Sequence, residues 1–424
     1  MTAAKTLSDA FHGFYGAQSK TYRAPGRVNL IGEHTDYNQG FVMPAAIDFS
    51  TWIAIAPRED RKLSVRSENF SETAELDLDC PPSRGIGHWS DYPFGVALKL
   101  EEAGHRLRGA NLLVRGEIPI GSGLSSSAAI EVATGLALLD NTEIEIDRLE
   151  LAKLCQQAEN EYVGMRCGLM DQFISCFGQA GHALMLDCRS MDYEPLALPE
   201  SVKLVVCNTM VKHELASSEY NARRAECEEA VERLGGRVPK IHSLRDLTFD
   251  DFVRFGEELP ELIRKRCRHV VSENDRVVKA ARALQSTDLA AFGMLMGESH
   301  QSLRDDYQVS CEELDLMVTL ANKASGVDGA RMTGGGFGGC TINLVRSESV
   351  DSFRERVARG YADATGKQRI RGEVDDAGDG HPLTVTSYVW LKAGPSGCAS
   401  TPAAPILAVL ALGLARRKIK YLRR

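Results

Sequence analysis

Five of the six residues from Gly334 to Gly339 are glycine, Phe337 being the exception, and a strand-like run at 341–345 follows almost directly. A structural turn needs one or two glycines; five of them bare a stretch of backbone and let it approach a ligand or another loop closely. Close approach of that backbone to a ligand or another loop, just before a strand, is a better reading than a merely structural turn. A second small-residue segment, Gly121-Ser122-Gly123-Leu124-Ser125-Ser126-Ser127, runs into Ala128, Ala129, Val132, Ala133 and Leu136, which repeat at helical spacing. Amides at such a helix start favour anions. No Lys follows the glycines, so the segment is not a Walker A loop. Alone it reads either as a phosphate cradle or as a capped helix after a flexible turn.

A third segment, Gly26-Arg27-Val28-Asn29-Leu30-Ile31-Gly32-Glu33-His34-Thr35-Asp36-Tyr37, places three ionisable side chains within four positions beside a glycine. That density is too high for a core strand. It suits a polyhydroxylated ligand, whose hydroxyls carboxylates accept and imidazole can accept or donate to; a polar surface turn would read the same way. Glu159 falls on a helical repeat formed by Leu151, Leu154, Ala158 and Tyr162. Asp171 sits between Met170 and Phe173, in surroundings where a charge wants a partner.

At 424 residues the chain exceeds one ordinary core, so two domains are expected, divided near residue 200. Strand-like runs at 41–47, 52–56 and 112–114 alternate with helices up to about residue 199. A new strand begins at Leu204, and a charged helix over 218–234 ends at Gly235 and Gly236. The alternating stretch 383–391 predicts a last strand. A net charge of -8 argues against nucleic acid as a partner. The eleven Cys are scattered, with no CxxC pair and no zinc spacing, as expected of reduced thiols. The first thirteen residues lack the apolar stretch of a signal peptide, and a cytoplasmic protein is expected.

Taken in chain order, 26–37, 121–127 and 334–339, the three motifs resemble those of the GHMP kinases. The first matches the galactokinase signature without a gap, at Arg27, Asn29, Gly32, Glu33, His34, Asp36 and Tyr37. The likeness runs from about Phe11 to Leu391. It implies an α+β fold of two domains, 1–200 with the sugar signature and ATP loop and 201–392 with the glycine-rich motif, and an active site in the interdomain cleft. Carried over, the resemblance assigns Glu33, His34, Thr35, Asp36, Gly168 and Tyr220 to galactose. It assigns Gly121, Ser122, Gly123, Leu124, Ser125, Ser126 and Ser127 to the phosphates of ATP, and Ser127 and Glu159 to Mg²⁺. Asp171 would face the C1 hydroxyl as the base, and Arg27 would steady the developing charge. The stretch 35–42 looks more like the galactose enzymes than like those for N-acetylgalactosamine. A monomer is expected.

The segment 393–424 departs from the family pattern. Its apolar run at 406–415 would span about 15 Å as a helix at ~1.5 Å per residue, against a hydrocarbon core of roughly 30 Å. No transmembrane span is expected, and the segment reads as a disordered appendage.

Overall fold

In a computed structural model of the chain, the described residues are 3–212, 216–366, 389–391 and 399–400. The order begins α1 (Ala3–Tyr15), β1 (Lys20–Asn29), β2 (Phe41–Val42), β3 (Pro44–Pro57), β4 (Lys62–Ser67), β5 (Glu72–Asp77), α2 (Asp91–Glu102) and β6 (Ala110–Gly116). It continues with α3 (Ser126–Thr142), α4 (Arg148–Gln157), α5 (Met170–Phe177), β7 (His182–Asp187) and β8 (Tyr193–Ala197). Next come β9 (Val202–Lys212), α6 (Ala216–Leu234), α7 (Phe249–Phe255), α8 (Glu261–Gln285), α9 (Leu289–Ser302) and α10 (Glu312–Asn322). The chain closes with β10 (Val327–Thr333), β11 (Gly338–Arg346), α11 (Val350–Thr365), β12 (Val389–Leu391) and β13 (Ala399–Ser400). Mixed helices and sheets in this order give the expected α+β class. The stretch expected as a last strand is described only at β12, which pairs with β9; the rest of 383–391, and the tail apart from β13, lie outside the described residues.

The largest sheet runs β13-β1-β3-β6-β4-β5, a second β10-β11-β9-β12, and a third β2-β7-β8. Strands β1 and β3 pair antiparallel, Val28 opposite Ala45, while β4 and β6 pair parallel, Val65 opposite Leu112. The run read as one strand over 41–47 is in fact two. Phe41 and Val42 pair with β7, and β3 starts at Pro44 in the other sheet. Met43 marks the break, because its N–H turns to the Ile31 carbonyl at 3.0 Å.

One apolar core joins the two halves of the chain. Val28, Ile31, Met43 and Met185 pack with Leu204, Val277, Phe292 and Ile342, all buried. The first motif is therefore enclosed by elements from beyond residue 200. Cys188, Cys207, Cys227, Cys267 and Cys340 are free and buried, and burial pushes the Cys227 thiol up to about 11. Among the described residues no helix is long and apolar enough to cross a membrane.

Candidate active site

A cleft of about 440 Å³ opens where the end of β1, the start of α3 and the glycine turn before β11 meet. Arg27, Glu33, His34, Asp36, Asp171 and Tyr220 all reach its wall. So do Gly121, Gly123, Ser125, Ser126, Ser127 and Glu159. Thus the fold gathers most of the expected site residues.

Arg27 and Asp171 occupy the centre. The Arg27 guanidinium donates from Nε to Asp171 Oδ1 at 2.8 Å and from Nη2 to Oδ2 at 2.7 Å. Its Nη1 donates to the Gly123 carbonyl at 2.5 Å. Two parallel bonds between a planar fork and a carboxylate fix orientation as well as distance. A third donor, the Ser125 hydroxyl, reaches Asp171 at 2.5 Å. Asp171 lies in the first turn of α5, where the helix dipole favours an anion.

Ser125 stands at the N-cap of α3 but makes no capping bond, because its hydroxyl goes to Asp171. Its backbone is left-handed, φ 60 and ψ 48. A non-glycine residue there is strained by about 1–3 kcal/mol, a conformation that clusters at functional sites. The glycine turn before β11 backs this loop. A Cβ on Gly334 would lie 2.7 Å from the Gly123 carbonyl oxygen, and one on Gly339 2.7 Å from that of Ser122. The bare backbone thus lies against another loop, as well as against the cleft.

On the opposite wall, His34 has both ring nitrogens engaged. Nε2 lies 3.2 Å from the Gly335 carbonyl, which can only accept, so Nε2 carries the proton. Nδ1 then accepts from the Tyr37 hydroxyl at 2.9 Å. Burial holds the His34 pKa down to about 3, in keeping with a neutral ring. The Tyr220 ring packs 5.4 Å from His34 and 5.5 Å from Tyr37. Burial, then the neighbouring Asp171 charge, pushes the Asp36 carboxyl up to about 6. A Cβ on Gly168 would collide with that carboxyl, so the backbone here leaves Asp36 its place.

Glu33 is anchored from four directions. Arg331 Nη1 reaches it at 2.8 Å, Asn29 Nδ2 at 2.5 Å, the Gly334 N–H at 2.8 Å and the Thr333 hydroxyl at 3.3 Å. Besides Gly168, three expected residues stand behind the wall. The Thr35 hydroxyl lies 2.8 Å from the Gly32 carbonyl and 2.6 Å from that of Phe41, closing its own loop. The Ser122 hydroxyl donates to the Pro119 carbonyl at 2.6 Å, and Leu124 belongs to the joining core. Their side chains support the wall without forming it.

Helix α4 does not continue to Tyr162 as the repeat suggests. It widens into a π-helical turn, Ala158–Val163, which carries Glu159 to the cleft; such turns recur at functional sites. Gln172 Nε2 donates to Glu159 Oε2 at 2.7 Å, and the Cys167 thiol lies 3.3 Å from the same oxygen. Burial, then Asp171, pushes the Glu159 carboxyl up to about 7. Among the described residues no group of three or more His, Cys, Asp or Glu could hold a metal ion.

Several wall residues escape the sequence reading. Phe70, Trp89 and Tyr92 also line the cleft, and the Phe70 and Trp89 rings stack at 5.9 Å and 15°. Trp89 and Tyr92, three positions apart just where α2 begins, are a readable hint. Arg331 carries no comparable local signal.

Residues 9–57 match the family model described as the galactokinase galactose-binding signature. Residues 91–179 match the N-terminal domain of the GHMP kinases, and 280–363 the C-terminal one. A galactokinase of Chloroflexus aggregans is 50% identical over 363 residues, 85% of this chain and 93% of that protein. One of a Roseiflexus species is 48% identical over 362 residues, 85% of this chain and 92% of that protein. Among solved structures, the Lactococcus lactis galactokinase complexed with galactose superposes with a TM-score of 0.85 at 38% identity, covering 93% of this chain and all of that one. A mevalonate kinase, at 19% identity and a TM-score of 0.56 over 80% of this chain, shares the fold alone. The chain belongs to the galactokinase family, ATP-dependent sugar kinases of the GHMP superfamily.

Proposed function

We propose that the protein transfers the γ-phosphoryl group of ATP to the C1 hydroxyl of galactose, giving galactose 1-phosphate and ADP. The observation that carries this reading is the meeting of a two-point Arg27–Asp171 pair with the glycine-serine loop in one cleft. Phosphoryl transfer asks mainly for positioning and charge neutralisation, and a guanidinium, a helix start and a carboxylate supply them.

In this reading Asp171 holds the C1 hydroxyl and takes its proton, or orients it, as the oxygen bonds to phosphorus. Arg27 fixes Asp171 and faces the transferring charge. Asp36, Glu33, His34, Gly168 and Tyr220 form the sugar end, with Thr35 bracing their loop. Gly121, Ser122, Gly123, Leu124, Ser125, Ser126 and Ser127 form the phosphate end, and the Phe70–Trp89–Tyr92 wall takes the base. The Ser127 hydroxyl bonds the raised Glu159 carboxyl, and this two-oxygen set suits Mg²⁺, which prefers one or two protein oxygens with phosphate and water. When bound, Mg²⁺ would neutralise phosphate charge. The chain divides near residue 200 into the two domains, and it works as a cytoplasmic monomer without nucleic-acid or membrane partners.

A substrate panel with ATP and Mg²⁺ tests the proposal. D-galactose is phosphorylated and D-glucose barely, because a site built around one hydroxyl's hydrogen bonds rejects the epimer that misplaces it. Similar kcat/KM for both sugars would overturn it.

A further inference from the structure

The loop from Gly32 to Gly40, which leads into β2 at Phe41, carries Glu33, His34 and Asp36, yet its only regular structure is a 3-10 turn at Asp36–Asn38. Side chains on one face of α8, from the other half of the chain, hold it. Glu273 accepts the Gly32 N–H at 2.9 Å. Asn274 Oδ1 accepts the Phe41 N–H at 2.8 Å. His269 Nε2 lies 3.1 Å from the Glu33 carbonyl, so it donates there. Val277 completes the face, its Cγ2 lying 2.9 Å from where a Cβ on Gly32 would be. Positions 269, 273 and 277 repeat every four residues and meet Gly32 and Glu33, while Asn274 beside them meets Phe41, so one helix face holds both ends of the loop.

This face is itself fixed. The Ser299 hydroxyl donates to Glu273 Oε1 at 2.6 Å and Arg276 Nε to Oε2 at 2.7 Å. Ser302 bonds His269 Nδ1 at 2.9 Å, and Asn274 Nδ2 donates to the Val270 carbonyl at 3.0 Å. His269 and Glu273 are 0% exposed and Asn274 9%. Burial alone would raise the Glu273 carboxyl, but Arg276 and its neighbours hold it at about 2, so the acceptor is charged. Buried polar networks with their partners in place rigidify what they touch.

We propose that His269, Glu273 and Asn274 are positioning residues for sugar recognition, through which α8 sets where the signature loop presents Asp36. None of the three lines the cleft, so they act through the loop backbone. The inference rests on the reading of Asp36 as a sugar contact.

The test compares Asn274→Leu, which removes the acceptor for the Phe41 N–H, with Asn274→Asp, which keeps it. Amide hydrogen exchange at Gly32 and Phe41, calorimetric galactose Kd and ATP KM are measured on each full-length protein. The Leu variant is expected to speed Phe41 exchange and to weaken galactose binding about tenfold, a typical cost of orphaning a buried donor. Its ATP KM stays within about twofold, and the Asp variant restores both losses. Faster Phe41 exchange with unchanged galactose Kd would overturn the proposal, as would equal losses for both ligands. Should the Leu variant not fold, Ser299→Ala, which removes one donor from Glu273, is expected to shift Gly32 exchange and galactose Kd the same way by a smaller factor. If the wild-type protein binds no galactose, the activity reading fails. The clamp is then judged by exchange alone, and wild-type rates at Gly32 and Phe41 in the variants would refute it.

Discussion

Arg27 and Asp171, 144 residues apart in the chain, face each other through two parallel bonds of 2.8 and 2.7 Å at the centre of the cleft. Each is held by a further contact with the same loop, Arg27 through the Gly123 carbonyl and Asp171 through the Ser125 hydroxyl. The pair is thus assembled with the phosphate loop rather than beside it. Asp171→Asn keeps the shape but loses the acceptor for the C1 proton. Because general-base assistance is typically worth about 10²–10⁴-fold, kcat falls by that order while galactose Kd changes far less. Arg27→Lys keeps the charge and loses the fork, so kcat also falls, and the double variant loses less than the product of the two. Steady-state kcat beside calorimetric Kd checks this; a folded Asp171→Asn with wild-type kcat would remove Asp171 from the chemistry.

Glu159→Gln puts a neutral amide where a carboxylate and the Ser127 hydroxyl meet. The expected mark is a Mg²⁺ requirement raised about tenfold or more, with galactose Kd unchanged, since charge-assisted ligation is lost. A Mg²⁺ titration that overlays the wild type would take Glu159 out of the metal set.

Gly334→Ala is expected to damage the phosphate end more than the sugar end. The residue has φ 84, and an added Cβ would lie 2.7 Å from the Gly123 carbonyl oxygen. An alanine in the left-handed region costs about 1–2 kcal/mol before any clash, so the 121–125 loop must shift. ATP KM rises about tenfold while galactose Kd, linked to this residue through the Gly334 N–H bond to Glu33, changes less. Unaltered ATP kinetics would show that the two glycine segments do not brace each other.

Asp36 links pH to both binding and stability. Its folded pKa of about 6 exceeds the ordinary carboxylate value of 3.8. Between those values the folded state binds more protons than the unfolded one, so this group's contribution to stability falls as pH rises from about 4 to 6. The apo Asp36→Asn protein is therefore expected to be more stable than the wild type at pH 7, by about 1–3 kcal/mol, with the gap closing below pH 4. Galactose affinity of the wild type should strengthen as pH rises through 6, when the carboxylate becomes a full acceptor. Denaturation and calorimetry from pH 4 to 8 check both; a destabilised Asn variant at pH 7 would mean that Asp36 has a partner in the folded protein that offsets its burial.

Local signals carried much of this protein. The dense polar group at Glu33, His34 and Asp36, the small residues at 121–127 and the five glycines before β11 were each visible as spacing within a few positions. Helix α3 followed from periodicity, because a 3.6-residue repeat needs no knowledge of the partner it packs on, and α6 from its charged run and its glycine stop. What spacing could not resolve was whether each segment served a ligand or a turn, and the family resemblance supplied that choice.

Tertiary structure alone decided the rest. Arg331 meets Glu33 across 298 residues, and Glu273 meets Gly32 across 241. Neither partner differs in sequence from any other charged residue, since a buried pair is selected by the packing around it and leaves no local pattern. The widening of α4 into a π-helical turn at Glu159, and the Ser125 hydroxyl turned from its helix to Asp171, arise the same way. In both, a contact from another element outweighs the local preference for a regular helix or a cap, and a preference worth about 1 kcal/mol yields readily to such packing.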